Sequence, residues 1–370
     1  MVNPENFIKV LTSLKVSPFI MVPCSIYKPL ANWMLNRNLP LIIPPNEAHA
    51  IGFATGVYSA TSNLPAVFIQ NSGLNNIANA QTSLNLIYKI PALIIVSWRG
   101  EKPEAPEHDV MGESLKKFLN VLHLPFEVLA EKSWKEQIRR MTSLAKKKKT
   151  PTALVIRKGF FEKEEPLVTK LSKNFSLSRI DAIRIIKNKL SKKSVFISAT
   201  GHPSRDSYAV SSTPDFYTMG SMGHVFSIGA GTTWQLKKSG SKIKVVIFDG
   251  DGGCLMHLGS LAMVGIEEIK NSNLIYVVLD NEAYESTGNQ PSLSTNIDFV
   301  KVAKGLGFQQ AFKAVNRSNL IKILNLIKPN KATFIHVKVN RKKEKTRRVS
   351  DDYTCEQVAK RFSQNVKKLI

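Results

Sequence analysis

The sequence predicts an α/β fold made of two doubly wound parallel-sheet domains, one in each half of the chain. Three observations lead to it. The apolar runs are short, rich in β-branched residues and apolar at successive positions, as strands covered on both faces must be. Amphipathic stretches of helical period alternate with these runs. A polar, charged stretch beginning at Lys158 (KGFFEKEEP) separates two repetitions of the plan.

In the first half, strands are expected at Phe19–Val22, Leu39–Ile43, Ala66–Gln70, Ala92–Ser97, Phe126–Leu129 and Thr152–Ile156. Helical patterns fall at Glu47–Ala60, Asn75–Tyr88 and Trp134–Lys147. The second half offers strands at Val195–Ala199, Lys244–Phe248, Leu274–Leu279 and Ala332–Val339. Its helices are expected at Ile180–Leu190, Val225–Leu236, His257–Ile269 and Ser318–Ile327. The domain reading is therefore residues 1–165, a linker at 166–178, a second domain at 179–342, and a basic tail at 343–370. The tail carries a helix, Thr354–Leu369, read as an arm for a neighbouring subunit.

At 370 residues the chain is long enough for two cores, and 43% hydrophobic with 22% charged residues is the composition of a folded globular protein. No apolar run approaches the roughly 20 residues of a membrane helix. The N-terminus has neither a basic nor an apolar signal region, and Cys24, Cys254 and Cys355 are too scattered for a disulfide framework or a metal cluster. A cytoplasmic protein is expected. The formal charge of +24 is concentrated in runs at Lys146–Lys149, Lys192–Lys193 and Arg341–Arg348. Such runs read as solvated helix ends and tails. No zinc-finger spacing, aromatic RNA-binding strand or basic zipper accompanies them, so a nucleic-acid-binding role is set aside.

The stretch from Val245 to Pro291 carries the chemistry. A strand runs into Asp249-Gly250-Asp251-Gly252-Gly253, and a second strand ends in Asp280-Asn281-Glu282-Ala283. Asp251 and Asn281 thus stand at the ends of two strands that could be neighbours. A carboxylate, an amide oxygen and a backbone carbonyl there make an oxygen-only site suited to Mg²⁺. Gly250, Gly252 and Gly253 let backbone N–H groups approach an anion. Taken alone, Gly-Asp-Gly is also simply a tight strand-to-helix turn.

The segment resembles the thiamine-diphosphate motif, in which Gly-Asp-Gly, a spacer of some two dozen residues and Asn-Asn follow one another. Here Gly250-Asp251-Gly252 is followed by the 27 residues Gly253 to Leu279 and then Asp280-Asn281. The first Asn of the pair is replaced by Asp280. The resemblance implies thiamine diphosphate and Mg²⁺ as cofactors, with Asp251, Asn281 and the carbonyl of Ala283 on the metal. It also implies a pyrimidine-binding first domain, whose first helix supplies a glutamate against N1′ of the aminopyrimidine. Glu47, after Leu41-Ile42-Ile43-Pro44-Pro45-Asn46, is that residue by position. On its own it reads more readily as a first-turn Glu behind the N-cap Asn46. Gly220-Ser221-Met222-Gly223 resembles the segment whose apolar residue sits under the bent cofactor, and Thr200 opens a further cofactor-facing loop.

The chain lacks the middle domain of the larger pyruvate decarboxylases. It resembles the two-domain phosphonopyruvate and sulfopyruvate decarboxylases, through Gln70-Asn71-Ser72-Gly73-Leu74, Trp98-Arg99-Gly100-Glu101, Pro106-Glu107-His108 and Gly288-Asn289-Gln290-Pro291. The resemblance implies non-oxidative decarboxylation of a small 2-oxo acid with an anionic group at C3, phosphonopyruvate first and sulfopyruvate as the alternative. A thiamine-dependent carboligase stays open as another use of the same machinery. Such a substrate needs cations and N–H donors. Arg99, His108 and Lys28 are the cationic candidates, with Asn71, Ser72 and Gln290 as neutral ones. Asn75-Asn76 stands where Gly-Asn is common, and Gly288-Asn289-Gln290 where Gly-Gly-Gln is usual. In the resembled family the two domains meet across subunits, so a homo-oligomer with a shared active site is implied.

Overall fold

A computed structural model describes residues 1–167, 175–211, 213–342 and 344–370. The expected linker at 166–178 falls largely on 168–174, outside the described residues. The chain divides into two compact units, Met1–Thr169 with Tyr284–Gln290, and Lys170–Ala283 with Pro291–Ile370.

The first unit is built on five parallel strands: β1 (Val16–Met21), β2 (Leu64–Gln70), β3 (Leu93–Ser97), β4 (Phe126–Val128) and β5 (Thr152–Ile156). Their order is β1-β2-β3-β5-β4. Alternate strand residues face opposite cores, as the two-residue period requires. Phe68, Ile95 and Leu154 pack with α1 (Pro4–Ser13), α2 (Lys28–Asn36) and α6 (Trp134–Lys148). Val67, Ile94 and Val155 pack with α3 (Glu47–Thr61), α4 (Leu74–Ala80) and α5 (Asp109–Val121). Helices on both faces explain why these strands read as unbroken apolar runs.

The second unit repeats the plan with six parallel strands: β6 (Ser194–Ser198), β7 (Phe216–Tyr217), β8 (Lys244–Gly250), β9 (Leu274–Asp280), β10 (Gln310–Ala314) and β11 (Thr333–Lys338). Their order is β10-β11-β9-β8-β6-β7. One face packs with α9 (Val225–Lys238) and α12 (Phe299–Leu306), the other with α7 (Arg179–Leu190) and α13 (Arg317–Leu326). α8 (His202–Val210), α10 (Asp251–Met256) and α11 (Glu267–Lys270) complete the unit, with α14 (Cys355–Leu369) after them. No helix among the described residues is long and apolar enough to cross a membrane.

Several elements differ from expectation. Leu39–Ile43 is not a strand; only Ile42 bridges to Ile20. Pro40 removes an N–H donor a ladder needs, and Pro44 and Pro45 stop the stretch from continuing. The stretch expected as one helix at His257–Ile269 is a 3₁₀ run, Leu258–Gly265, followed by α11, in keeping with the low helix propensity of Gly259 and Gly265. The Asn75–Tyr88 pattern breaks after Ala80 into a π-type turn, Gln81–Asn85. The tail is no free arm. The amphipathic seam of α14 packs Phe362 into the core of its own unit, with Val366 and Leu369 beside it. Phe362 stacks edge-on against Phe216 at 5.5 Å. Burying one such ring contributes roughly 1.5–3 kcal/mol, which favours docking the seam at home.

Candidate active site

In the second unit the polar groups gather at the C-terminal strand ends, where ligands of open α/β sheets bind. Gly250 of β8 is in register with Leu279 of β9. Asp251 and Asn281 therefore leave neighbouring strands at nearly the same level. Asp251 is buried and accepts a hydrogen bond from the Ser292 hydroxyl. Burial, then the negative charge of Asp280, push its carboxyl up to about 7. A divalent cation would remove both penalties. The Asn281 amide oxygen accepts the Ala283 N–H at 3.1 Å, within the turn that follows β9. Among the described residues no three His, Cys, Asp or Glu side chains cluster to hold a metal. A cation here would therefore use one carboxylate, amide and carbonyl oxygens, and oxygens of the bound diphosphate. This is a hard donor set that fits Mg²⁺.

Asp249 has an internal role. Burial raises its carboxyl to about 7, and it accepts hydrogen bonds from the Tyr276 hydroxyl and the Gly250 N–H, both at 2.8 Å. Gly253 makes room for it, since a Cβ there would lie 2.3 Å from Asp249 Oδ1. Gly250 has open space on its Cβ side, leaving backbone accessible to an anion. α10 is only six residues long and is followed by the 3₁₀ run, so its dipole adds little at Asp251.

The Gly220–Gly223 turn follows β7 at the same end of the sheet. Thr200 donates to the Met219 carbonyl at 2.7 Å, which braces that turn. Gly223 has φ +86°, and a Cβ on it would lie 2.4 Å from the His257 ring, so only glycine fits. Met222 is half-buried.

In the first unit Asn46 caps α3, its side chain accepting the His49 N–H at 3.0 Å. Glu47, the next residue, is buried, and its carboxylate accepts the Asn76 amide at 2.7 Å. It lies flat against Gly73, where a Cβ would come within 2.5 Å of Oε1. Glu47 is therefore aimed at the end of β2 and is not merely a helix-dipole residue. Asn71, expected as a neutral substrate donor, is committed internally: its amide donates to the carbonyls of Arg99 (2.8 Å) and Met111 (3.1 Å), and its oxygen accepts the Arg99 N–H (3.2 Å). Ser72 accepts from Gln70 at 2.7 Å.

Arg99 donates to Glu104 at 2.8 Å and to the Ser25 hydroxyl at 3.1 Å. Burial works against ionisation of Glu104, but Arg99, the Gly100 N–H and Lys158 outweigh it and hold the carboxyl at about 2. Burial, then the Arg99 charge, keep the His108 imidazole below its ordinary value. Trp98 and Glu101 of the same motif fix the loop, through Gly112 (2.8 Å) and Arg157 (2.7 Å). Lys28 and Gln290 both border Gly288, whose Cβ would lie 2.9 Å from Lys28 Cγ and from Gln290 Nε2. Glu47, Arg99, Lys28 and Gln290 thus belong to one unit, and Asp251, Asn281 and Met222 to the other.

Several participants were not foreseen: Gly73, Asn76 and Glu104 in the first unit, Ser292, His336, Lys338 and Arg341 in the second. Arg341 is no solvated tail residue; it donates to the carbonyls of Asn281 (2.8 Å) and Glu282 (3.0 Å). Asn76 had a sequence signal as the retained half of an altered Gly-Asn pair, and Gly73 lies in the Gln70–Leu74 motif, though neither was expected to touch Glu47.

Comparison with known proteins agrees with this geometry. Residues 200–337 match the family described as thiamine pyrophosphate enzyme, C-terminal TPP binding domain. The chain is 30% identical over 362 residues to a sulfopyruvate decarboxylase of Methanosarcina acetivorans, covering 91% of each chain. It is 28% identical to a phosphonopyruvate decarboxylase of Streptomyces viridochromogenes, covering 92% of this chain and 89% of that one. A sulfopyruvate decarboxylase subunit beta of Methanocaldococcus jannaschii is 40% identical over 131 residues, 35% of this chain and 66% of that one. With a metal-diphosphate segment at its strand ends and such relatives along nine-tenths of its length, the chain belongs to the thiamine-diphosphate- and Mg²⁺-dependent family of sulfopyruvate and phosphonopyruvate decarboxylases, which are carboxy-lyases.

Proposed function

We propose that the protein decarboxylates 3-phosphonopyruvate without oxidation, taking up one proton and releasing phosphonoacetaldehyde and CO₂. The observation that carries this reading is the polar set at the strand ends of the first unit. Glu47 is buried there beside Asn76 and Gly73, and Arg99, Lys28 and His108 offer N–H donors to an anionic substrate. When bound, thiamine diphosphate supplies the nucleophilic carbon and the electron sink that loss of CO₂ requires. Asp251, Asn281 and the Ala283 carbonyl would hold the metal, Gly250 and Gly252 would offer backbone N–H groups to the diphosphate, and Met222 with Thr200 would shape the cofactor's seat. Glu47 would share a proton with N1′ of the aminopyrimidine. Arg99 and Lys28 bind the C3 anion, with Gln290 as a neutral donor.

The second reading is sulfopyruvate. It draws support from the 30% identical relative and from the Arg99–Glu104 pair, whose reduced positive charge suits a sulfonate monoanion better than a phosphonate dianion. CO₂ release from phosphonopyruvate, sulfopyruvate and pyruvate, compared side by side, separates the readings. The expected order of kcat/KM places phosphonopyruvate first and pyruvate last. Sulfopyruvate in first place would assign the second reading, and an acyloin in place of free aldehyde would assign a carboligase.

The active form is a homo-oligomer in which Glu47 of one copy serves the Asp251 site of another. The open Cβ sides of Gly52 and Gly56 on α3 suit close helix approach between copies, and one relative is itself named as a subunit. Gly73→Ala tests how Glu47 is held. Its methyl group would displace the carboxylate, so kcat should fall roughly ten- to a hundredfold, with cofactor affinity and melting temperature close to wild type. An unchanged kcat would show that Glu47 acts equally well from a shifted position.

A further inference from the structure

Asp280 stands where the thiamine-diphosphate motif has its first asparagine, and the structure surrounds it with donors. One oxygen accepts the Glu282 backbone N–H at 2.9 Å and the Ser294 hydroxyl at 2.8 Å. The other accepts His336 Nε2 at 2.8 Å and Lys338 Nζ at 2.7 Å. Lys338 reaches on to the Glu282 carboxylate at 2.7 Å. β11 lies beside β9 with Lys338 in register with Asp280, so this contact is built into the sheet. Asp280, Glu282, His336 and Lys338 are all buried.

The group encloses one short turn. Glu282 has φ +61°, a left-handed conformation that a side chain bearing a Cβ adopts only when its surroundings hold it. Asp280 holds its N–H, Lys338 its carboxylate and Arg341 its carbonyl. The residues on either side are Asn281 and Ala283.

We propose that Asp280 and Lys338 are a matched pair of positioning residues that set the Asn281–Ala283 turn for the metal and diphosphate, with Arg341 closing the turn from outside. The proposal rests on the reading of Asn281 and Ala283 as metal-binding positions. Asparagine, the motif's usual residue, cannot replace Asp280 against this lysine. Four donors converge on the two carboxylate oxygens, and an asparagine would set its NH₂ against either Lys338 or the Glu282 N–H, neither of which can accept. A neutral pair can restore the links: with glutamine at 338, its oxygen accepts from the asparagine NH₂ and its own NH₂ donates to Glu282, while His336 in its other neutral tautomer accepts at Nε2.

The test is binding of thiamine diphosphate, measured by calorimetry across a Mg²⁺ series, with the melting temperature of cofactor-free protein as a control of folding. Asp280→Asn and Lys338→Gln should each weaken Mg²⁺-supported binding at least tenfold. The double variant should return to within about threefold of wild type, a rescue that two independent structural defects would not produce. Arg341→Gln, at the edge of the unit, should weaken binding several-fold without lowering the melting temperature, and it decides the matter if the buried variants fail to fold. Single variants that bind as wild type, defects that simply add in the double variant, or an Arg341→Gln protein with intact binding would each overturn the proposal. The underlying metal reading is checked separately by Asn281→Ala and by Mg²⁺ omission in wild type. Intact binding there would remove the reading itself, whatever the paired variants do.

Discussion

Asp251→Ala is expected to abolish Mg²⁺-dependent retention of thiamine diphosphate. The carboxylate is buried, and its environment without a cation already drives it toward protonation, up to about 7. A divalent ion there compensates a buried charge that the Ser292 hydroxyl, its own backbone N–H and the Lys338 charge ease less than burial and Asp280 oppose it. Removing one partner of a buried ionic contact typically costs roughly 3–5 kcal/mol, or about two to four orders of magnitude in Kd. The cofactor-free variant should melt no lower than wild type, because it no longer buries a carboxylate. Calorimetry with and without Mg²⁺, together with a melting curve, reads both effects. Full cofactor retention by Asp251→Ala would remove the metal assignment.

Glu47→Gln should have the opposite signature, keeping the cofactor and losing turnover by about 10²- to 10⁴-fold, the usual worth of a positioned acid–base group. Gln preserves the shape that Gly73 and Asn76 enclose but cannot share a proton. Equilibrium binding and single-turnover kinetics separate the two effects, and wild-type turnover would show that Glu47 is not the catalytic acid. The two variants together test assembly. If Glu47 and Asp251 come from different copies, a mixed dimer has one site with both groups intact and one with both defects. Random re-assortment then recovers about a quarter of the sites in a symmetric dimer. No recovery, with subunit exchange confirmed, would place both groups in the same copy.

The two substitutions draw on residues that were legible to different degrees. Asp251 and Asn281 were readable because strand, tight turn, helix and strand follow each other locally, and a motif confined to such a unit keeps its spacing. Glu47 was readable in position but ambiguous in role, since an N-cap Asn followed by Glu has two uses. The helix-dipole use requires neither burial against Gly73 nor the Asn76 hydrogen bond, and neither contact leaves a periodic trace across the intervening residues. The short strand β7, the strand β10 and helices such as α1 and α5 went unread, because short or strongly polar segments take their structure from what they pack against.

By itself, the sequence determined the two-sheet α/β plan, most of the long strands, the metal-diphosphate segment and the family. Each depends on local period, turn chemistry or a fixed spacing. Tertiary structure alone decided which polar residues are committed and to what. Asn71 and Glu101 became loop braces, Arg99 acquired Glu104 as its counter-charge, the tail helix docked on its own unit, and Arg341 left a basic run to grip two carbonyls. The physical reason is common to all of them. A charged or amide side chain is satisfied by whichever partner the folded backbone brings within about 3 Å, and across parallel strands that partner comes from dozens of residues away, as Asp280 and Lys338 do.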